Sequence, residues 1–209
     1  MKETEETIIF VIDDDASVRK AISMLLRSEG YEVETYDSAE DYLSRVRYNG
    51  SGCIVLDFKM KNMNGLELQE KLSERHSNLP VVFITAHGDI PTSVKAMKKG
   101  AYDFLTKPFN DEDFLASVST AIEKSVSNFN SSKEKEKIFE EMMTLTEREK
   151  EILKYIIAGY MNKQISDMLG IAEQTVKIHR GHIMHKLCVD SVADLVRKAE
   201  KADIVPQKR

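Results

Sequence analysis

The chain has 209 residues, 42% hydrophobic and 31% charged, enough for two domains that each bury a core. No apolar stretch approaches the roughly eighteen residues of a membrane span, and the acidic start Met1-Lys2-Glu3-Thr4-Glu5-Glu6 lacks the basic and apolar regions of a signal peptide, so a cytoplasmic protein is expected. The net charge of -5 is uneven: residues 1–127 hold 15 Lys and Arg against 22 Asp and Glu, whereas residues 145–209 hold 12 against 9 and three of the five His, so nucleic acid, if bound, meets the last part.

Residues 1–110 alternate short β-branched runs with amphipathic segments, the pattern of a parallel sheet covered on both faces. Strands are expected at Ile8–Ile12, Glu32–Tyr36, Cys53–Leu56, Val81–Thr85 and Tyr102–Leu105. Helices are expected at Ser17–Glu29, Ser38–Tyr48, Gly65–Arg75, Pro91–Lys99 and Asp111–Lys124, with Gly30 and Gly100 as stops and Ser38 and Asp89 as caps or turn residues. Residues 125–143 change character, an Asn/Ser stretch giving way to the charged run Lys133-Glu134-Lys135-Glu136-Lys137. Val118, Ile122, Val126 and Phe129 recur at helical spacing, so this linker is either one long helix or a joint broken at the Asn/Ser stretch. Met142 and Met143 read as packing between domains.

From Leu145 onward every segment reads helical: Thr146–Ala158, Asn162–Leu169, Glu173–Leu187 and Ser191–Ala202. Thr146 and Glu149 have capping-box spacing, and the short connection Gly170-Ile171-Ala172 suits a helix-turn-helix. The expected division is 1–124, a linker over 125–143, and 144–209. Cys53 and Cys188 lack the close spacing of a zinc site or redox pair.

A doubly wound sheet binds its ligand at the carboxyl ends of the strands, near the point where strand order reverses. Asp13, Asp14, Asp57, Thr85 and Lys107 all follow or end strands, so four separate strands bring polar groups to one rim. Taken singly, each has a bland reading: a strand-end Asp caps a turn, Thr85 belongs on a strand, Lys107 is a solvated charge and Phe104 is core. Taken together, the acids cannot all stay ionised without a cation, and carboxylate oxygens favour Mg²⁺ over zinc. A carboxylate beside such an ion can attack phosphorus, with the ion and a Lys ammonium neutralising the equatorial oxygens.

The residues Ile12-Asp13-Asp14-Asp15, Asp57, Met60, Met63-Asn64-Gly65, Thr85-Ala86 and Lys107-Pro108 resemble the receiver domain of two-component response regulators, over residues 8–124. The resemblance implies an α/β doubly wound, flavodoxin/CheY-like sheet of five parallel strands in the order 2-1-3-4-5. It also implies Asp57 as phosphoacceptor, Asp14 and Asp57 as direct Mg²⁺ ligands with the backbone carbonyl of Lys59, and Asp13 as a ligand through water. Lys107 would contact the phosphoryl group, Thr85 and Phe104 would be the switch pair, and Lys107-Pro108 would be cis. Lys61 departs from the family, which generally has Pro there; losing the ring loosens that turn. Phosphatases and mutases with an aspartyl-phosphate intermediate carry a second acid two residues after the nucleophile, where this chain has Lys59.

Projecting Glu173–Leu187 at about 100° per residue places Val176, Ile183 and Leu187 on one side. Lys177, Ile178, Gly181 and His185 face away, with His182 on a flank, a face suited to phosphates and purine acceptors. Gly181 costs about 1 kcal/mol of helix propensity relative to Ala but permits close approach to a base. His179, His182 and His185 drift about 60° per step, so three imidazoles do not converge on one metal.

The runs Leu145-Thr146-Glu147-Arg148-Glu149, Asn162-Lys163-Gln164-Ile165 and Thr175-Val176-Lys177-Ile178-His179, with Gly159, resemble the LuxR-type helix-turn-helix, an all-α domain. The whole chain resembles a FixJ/NarL-class regulator. This implies Lys177 and Ile178 at bases, Thr175, His179 and Lys163 near the DNA backbone, and Arg180, Gly181 and His182 in the same DNA-facing set. It further implies a sensor histidine kinase as phosphodonor, a homodimer on phosphorylation, RNA polymerase as a further partner, and no enzymatic activity beyond self-phosphorylation and self-dephosphorylation. A small-molecule-sensing LuxR-type regulator would need a ligand-enclosing first domain instead of this acidic rim.

Overall fold

The apolar run Cys53-Ile54-Val55-Leu56 forms the middle of strand β3 (Gly52–Asp57), every residue of which is buried, as a strand covered on both faces requires. The structure, a computed structural model, describes residues 7–86 and 90–207, so Asp89 and His87 lie outside the described residues. It divides into two compact units, Met1–Asn130 and Ser131–Arg209.

In the first unit β3 pairs with β1 (Ile8–Ile12) and β4 (Val81–Thr85), and the sheet is completed by β2 (Glu32–Tyr36) and β5 (Asp103–Thr106). All pairings are parallel and the order is β2-β1-β3-β4-β5. Alternation along the strands sends Phe10, Ile54, Leu56 and Phe83 to one core and Ile9, Val11, Val55 and Ile84 to the other. The order reverses between β1 and β3, and their register pairs Ile12 with Leu56, which sets residue 13, just past β1, beside residue 57, the last of β3.

Helices α1 (Ala16–Ser28), α2 (Ala39–Ser44), α3 (Gly65–Glu74) and α4 (Ile90–Lys98) connect the strands, and α5 (Asp111–Met143) follows β5. Helix α2 stops at Ser44 rather than continuing to Tyr48. Arg45 is extended (φ -67°, ψ 156°), its guanidinium lies 4.5 Å from the centre of the Phe10 ring, and its Nε donates to Tyr36 Oη at 3.0 Å. Strand β5 spans Asp103–Thr106, one residue later at each end than the expected Tyr102–Leu105. Residues 125–143 are helical, as part of α5. The stretch contains neither Gly nor Pro, and Ser and Asn lower helix propensity by only a few tenths of a kcal/mol.

The second unit packs α6 (Glu147–Ile157), α7 (Asn162–Leu169), α8 (Glu173–Lys186) and α9 (Val192–Lys201) around Ile152, Leu153, Ile165, Val176, Ile183, Leu187 and Leu195. Met142 is buried in this same core, and Met143 is 62% exposed. Gly170, in the left-handed region at φ 64°, ends α7 and turns the chain toward α8.

Candidate functional site

Asp13 and Asp57 are almost wholly buried at the rim, with Asp14 half-buried beside them. One carboxylate oxygen from each of the three lies within 4.8 Å of the others. Lys107 Nζ spans the pair, donating to Asp13 Oδ2 at 2.7 Å and to Asp57 Oδ1 at 2.9 Å. The lysine is delivered from the end of β5, where its backbone N–H donates to Thr85 O at 2.7 Å and its bond to Pro108 is cis. The remaining oxygen of Asp57, Oδ2, accepts from the Lys59 amide at 2.9 Å.

Burial pushes the Asp57 carboxyl above its ordinary range, and Asp13 adds to that; the Lys107 and Lys59 hydrogen bonds only partly oppose it. Burial works to lower the Lys107 ammonium, but its bonds to Asp13 and Asp57 carry it above the usual lysine value. Three carboxylates against one ammonium leave an excess of negative charge in a set made only of oxygen donors. That set could hold a metal ion, and its chemistry fits a hard divalent cation.

Asp15 has a separate task. Its Oδ1 caps α1, accepting from Ser17 N at 2.8 Å and Val18 N at 3.3 Å, and the Ser17 bond leads in holding its carboxyl low. Thr85 is buried at the end of β4. Phe104 is half-buried, its ring 6.0 Å from Phe58 and 6.2 Å from Phe83. In the loop after β3, Met60 is buried and Lys61 exposed, and Asn62 adopts φ 63°.

Gly65 closes this loop, its N–H donating to Phe58 O at 3.0 Å. A Cβ there would stand 2.7 Å from Phe83 Cε1 and 2.8 Å from the carbonyl oxygen of Asp57. Gly65→Ala is therefore expected to displace the backbone that carries Asp57, destabilising the first unit by about 1–3 kcal/mol in urea melts.

On α8, Val176, Ile183 and Leu187, which follows its last turn, are fully buried, while Lys177, Ile178, Gly181, His182 and His185 are exposed, as the projection indicates. Lys163 is exposed on α7, and Thr175, His179 and Arg180 are half-buried. Arg180 is partly engaged, Nη1 donating to Asn162 Oδ1 at 3.1 Å. A Cβ on Gly181 would meet nothing within 4 Å among the described residues, so packing does not require glycine here. The capping box forms as expected, Glu149 Oε2 accepting from Thr146 N at 2.8 Å. Sequence reading missed the second partner of that oxygen, Lys186 Nζ at 2.7 Å, which no local spacing announces.

Residues 9–119 match the response regulator receiver domain, and residues 143–199 match the bacterial regulatory proteins of the luxR family. The chain belongs to the response regulators, with a receiver followed by a LuxR-type helix-turn-helix, and is a transcriptional regulator. It is 42% identical over 197 residues to the response regulator protein TmoT of Ectopseudomonas mendocina, covering 94% of this chain and 90% of that protein. It is 35% identical to the transcriptional regulatory protein FixJ of Bradyrhizobium diazoefficiens, covering 94% and 96% respectively. Among solved structures, the response regulator StyR is 46% identical with a TM-score of 0.88, covering 94% of this chain and 99% of that one. No helix among the described residues is long and apolar enough to cross a membrane.

Proposed function

We propose that this regulator accepts a phosphoryl group on Asp57 from a sensor histidine kinase, with Mg²⁺, then dimerises and binds promoter DNA through α8. The observation that carries this reading is the single ammonium of Lys107 bridging Asp13 and Asp57 where strand order reverses. Asp14, Asp57 and the Lys59 carbonyl would hold Mg²⁺, with Asp13 acting through water. When bound, the ion would neutralise charge on the oxygens of the transferring group.

An oxygen of Asp57 attacks phosphorus, and the P–N bond of the donor's phosphohistidine breaks as the acyl phosphate forms. Lys107, already within hydrogen-bond reach of Asp57, then meets the phosphoryl oxygens instead of the bare carboxylate. The new charge draws in the Thr85 hydroxyl, and Phe104 moves with it. The surface of α4 and β5 is thereby biased toward pairing two copies, which places two DNA-binding units on a two-fold site. The setting is cytoplasmic, RNA polymerase is a further partner, and the chain's own chemistry is confined to gaining and losing the phosphoryl group.

Selecting genomic duplexes with protein treated with acyl phosphate and Mg²⁺ tests the reading, because binding should tighten on treatment. On the selected fragments Lys177→Ala is expected to cost about 1–3 kcal/mol if Lys177 reads a base. Equal losses on random and selected duplexes, followed by fluorescence anisotropy, would make it a phosphate contact instead.

A further inference from the structure

His179 and His182 stand three residues apart on α8, neighbours on the helix surface, and Glu149 approaches them from α6. One ligand atom from each of these three lies within 4.8 Å of the others. Glu149 is 3% exposed, and its Oε2 is committed to Lys186 and the Thr146 cap. Its Oε1 instead faces His182 Nδ1 at 3.9 Å, too long for a hydrogen bond. Nδ1 of His179 is shut off from water and, among the described residues, has no hydrogen-bond partner. Among the described residues, the cluster thus brings together His179, whose Nδ1 has no hydrogen-bond partner, and Glu149, whose Oε1 lies beyond hydrogen-bonding distance of His182.

We propose that Glu149, His179 and His182 bind a divalent first-row transition ion of the zinc type on the DNA-binding unit. Two imidazole nitrogens and one carboxylate are a donor set for such ions, unlike the all-oxygen rim around Asp57. Donors around tetrahedral zinc lie about 3.3 Å apart, so closure requires side-chain movements of about 1 Å. The side chain of His182 is 63% exposed and can rotate to supply them. Glu149 brings a carboxylate whose Oε2 already pairs with Lys186 Nζ at 2.7 Å. Lys186 offsets that charge, so binding rests on the imidazoles, which disfavours Mg²⁺ and Ca²⁺. His185 is exposed and outside the cluster; the third donor comes from another helix, which the spacing of the His residues alone does not reveal. Because His179 is also a proposed DNA-backbone contact, an ion here would hold its imidazole against α6.

The full chain, stripped with chelator and kept in excess Mg²⁺, is titrated with Zn²⁺ by calorimetry and with Co²⁺ by visible absorption. One ion per chain is expected, with the intense visible bands of tetrahedral Co²⁺. His182→Ala, at an exposed position that leaves the fold intact, and His179→Ala should each weaken Zn²⁺ binding by about 100-fold. Unchanged affinity in both variants, or no Zn²⁺ uptake by the parent chain, overturns the proposal. Loss on His185→Ala would place the ion on the exposed His182–His185 pair, and loss on Asp57→Asn would place it on the receiver rim; either result also overturns it.

Discussion

Asp57→Asn is expected to gain no phosphoryl group when incubated with acyl phosphate and Mg²⁺, whereas intact mass should show the parent chain heavier by one phosphoryl. An amide oxygen is too weak a nucleophile to attack phosphorus, and the substitution also removes the negative charge facing Lys107. The shape of the side chain is nearly conserved, and its oxygen can still accept from the Lys59 amide. Lys107 keeps its bond to Asp13, so the ammonium is not left unpaired. Burial already disfavours the charged form of Asp57, so the variant should melt no lower than the parent without Mg²⁺. Loss of the adduct from a folded chain would then report chemistry alone. An equal mass gain in Asp57→Asn would move the acceptor to another rim acid and refute the assignment.

The strands could be read from the sequence because a parallel sheet covered on both faces needs near-continuous apolar runs, and β1, β3 and β4 supply them. The rim followed from topology, since acids placed just after β1 and at the end of β3 must meet once those strands pair. What could not be read depends on contacts between distant residues. Helix α2 ends where Arg45 turns onto Phe10, 35 positions earlier in the chain, and nothing local marks that stop. One local contact was also missed: Asp15 stands beside Asp13 and Asp14 in the chain, yet its bonds to Ser17 and Val18 make it the cap of α1. Gly65 is one letter of a motif until its distance to Phe83 shows why a side chain is excluded. The faces of α8 were legible because period 3.6 alone sorts Val176 and Ile183 from Lys177 and Gly181. Lys186 was not, because its partner Glu149 sits on another helix.

That same pair makes the second unit sensitive to acid. Burial alone would raise the Glu149 carboxyl, but the Lys186 hydrogen bond and the Thr146 cap more than compensate and lower it from 4.5 to about 2. A carboxyl depressed in the folded state contributes its stability fully above the unfolded value of 4.5, and the contribution is lost as pH falls through about 2. The shift corresponds to about 3 kcal/mol at neutral pH. Glu149→Gln is therefore expected to lower the stability of this unit by about 3 kcal/mol, at the low end for breaking a buried pair. The cost stays at that end because Lys186, with 32% of its side chain exposed, can reach water and still donate to Thr144 O at 3.1 Å. Urea melts followed by NMR signals from α6 and α8, at a series of pH values, isolate this unit from the receiver. The parent should lose stability steeply between pH 4.5 and 2, and Glu149→Gln should be flatter across that window. Lys186→Ala should move the acid transition upward toward ordinary carboxylate values, since the strongest lowering contact is gone. If parent and Glu149→Gln lose stability in parallel, the acid response belongs to other carboxylates and the buried pair does not anchor α8 to α6.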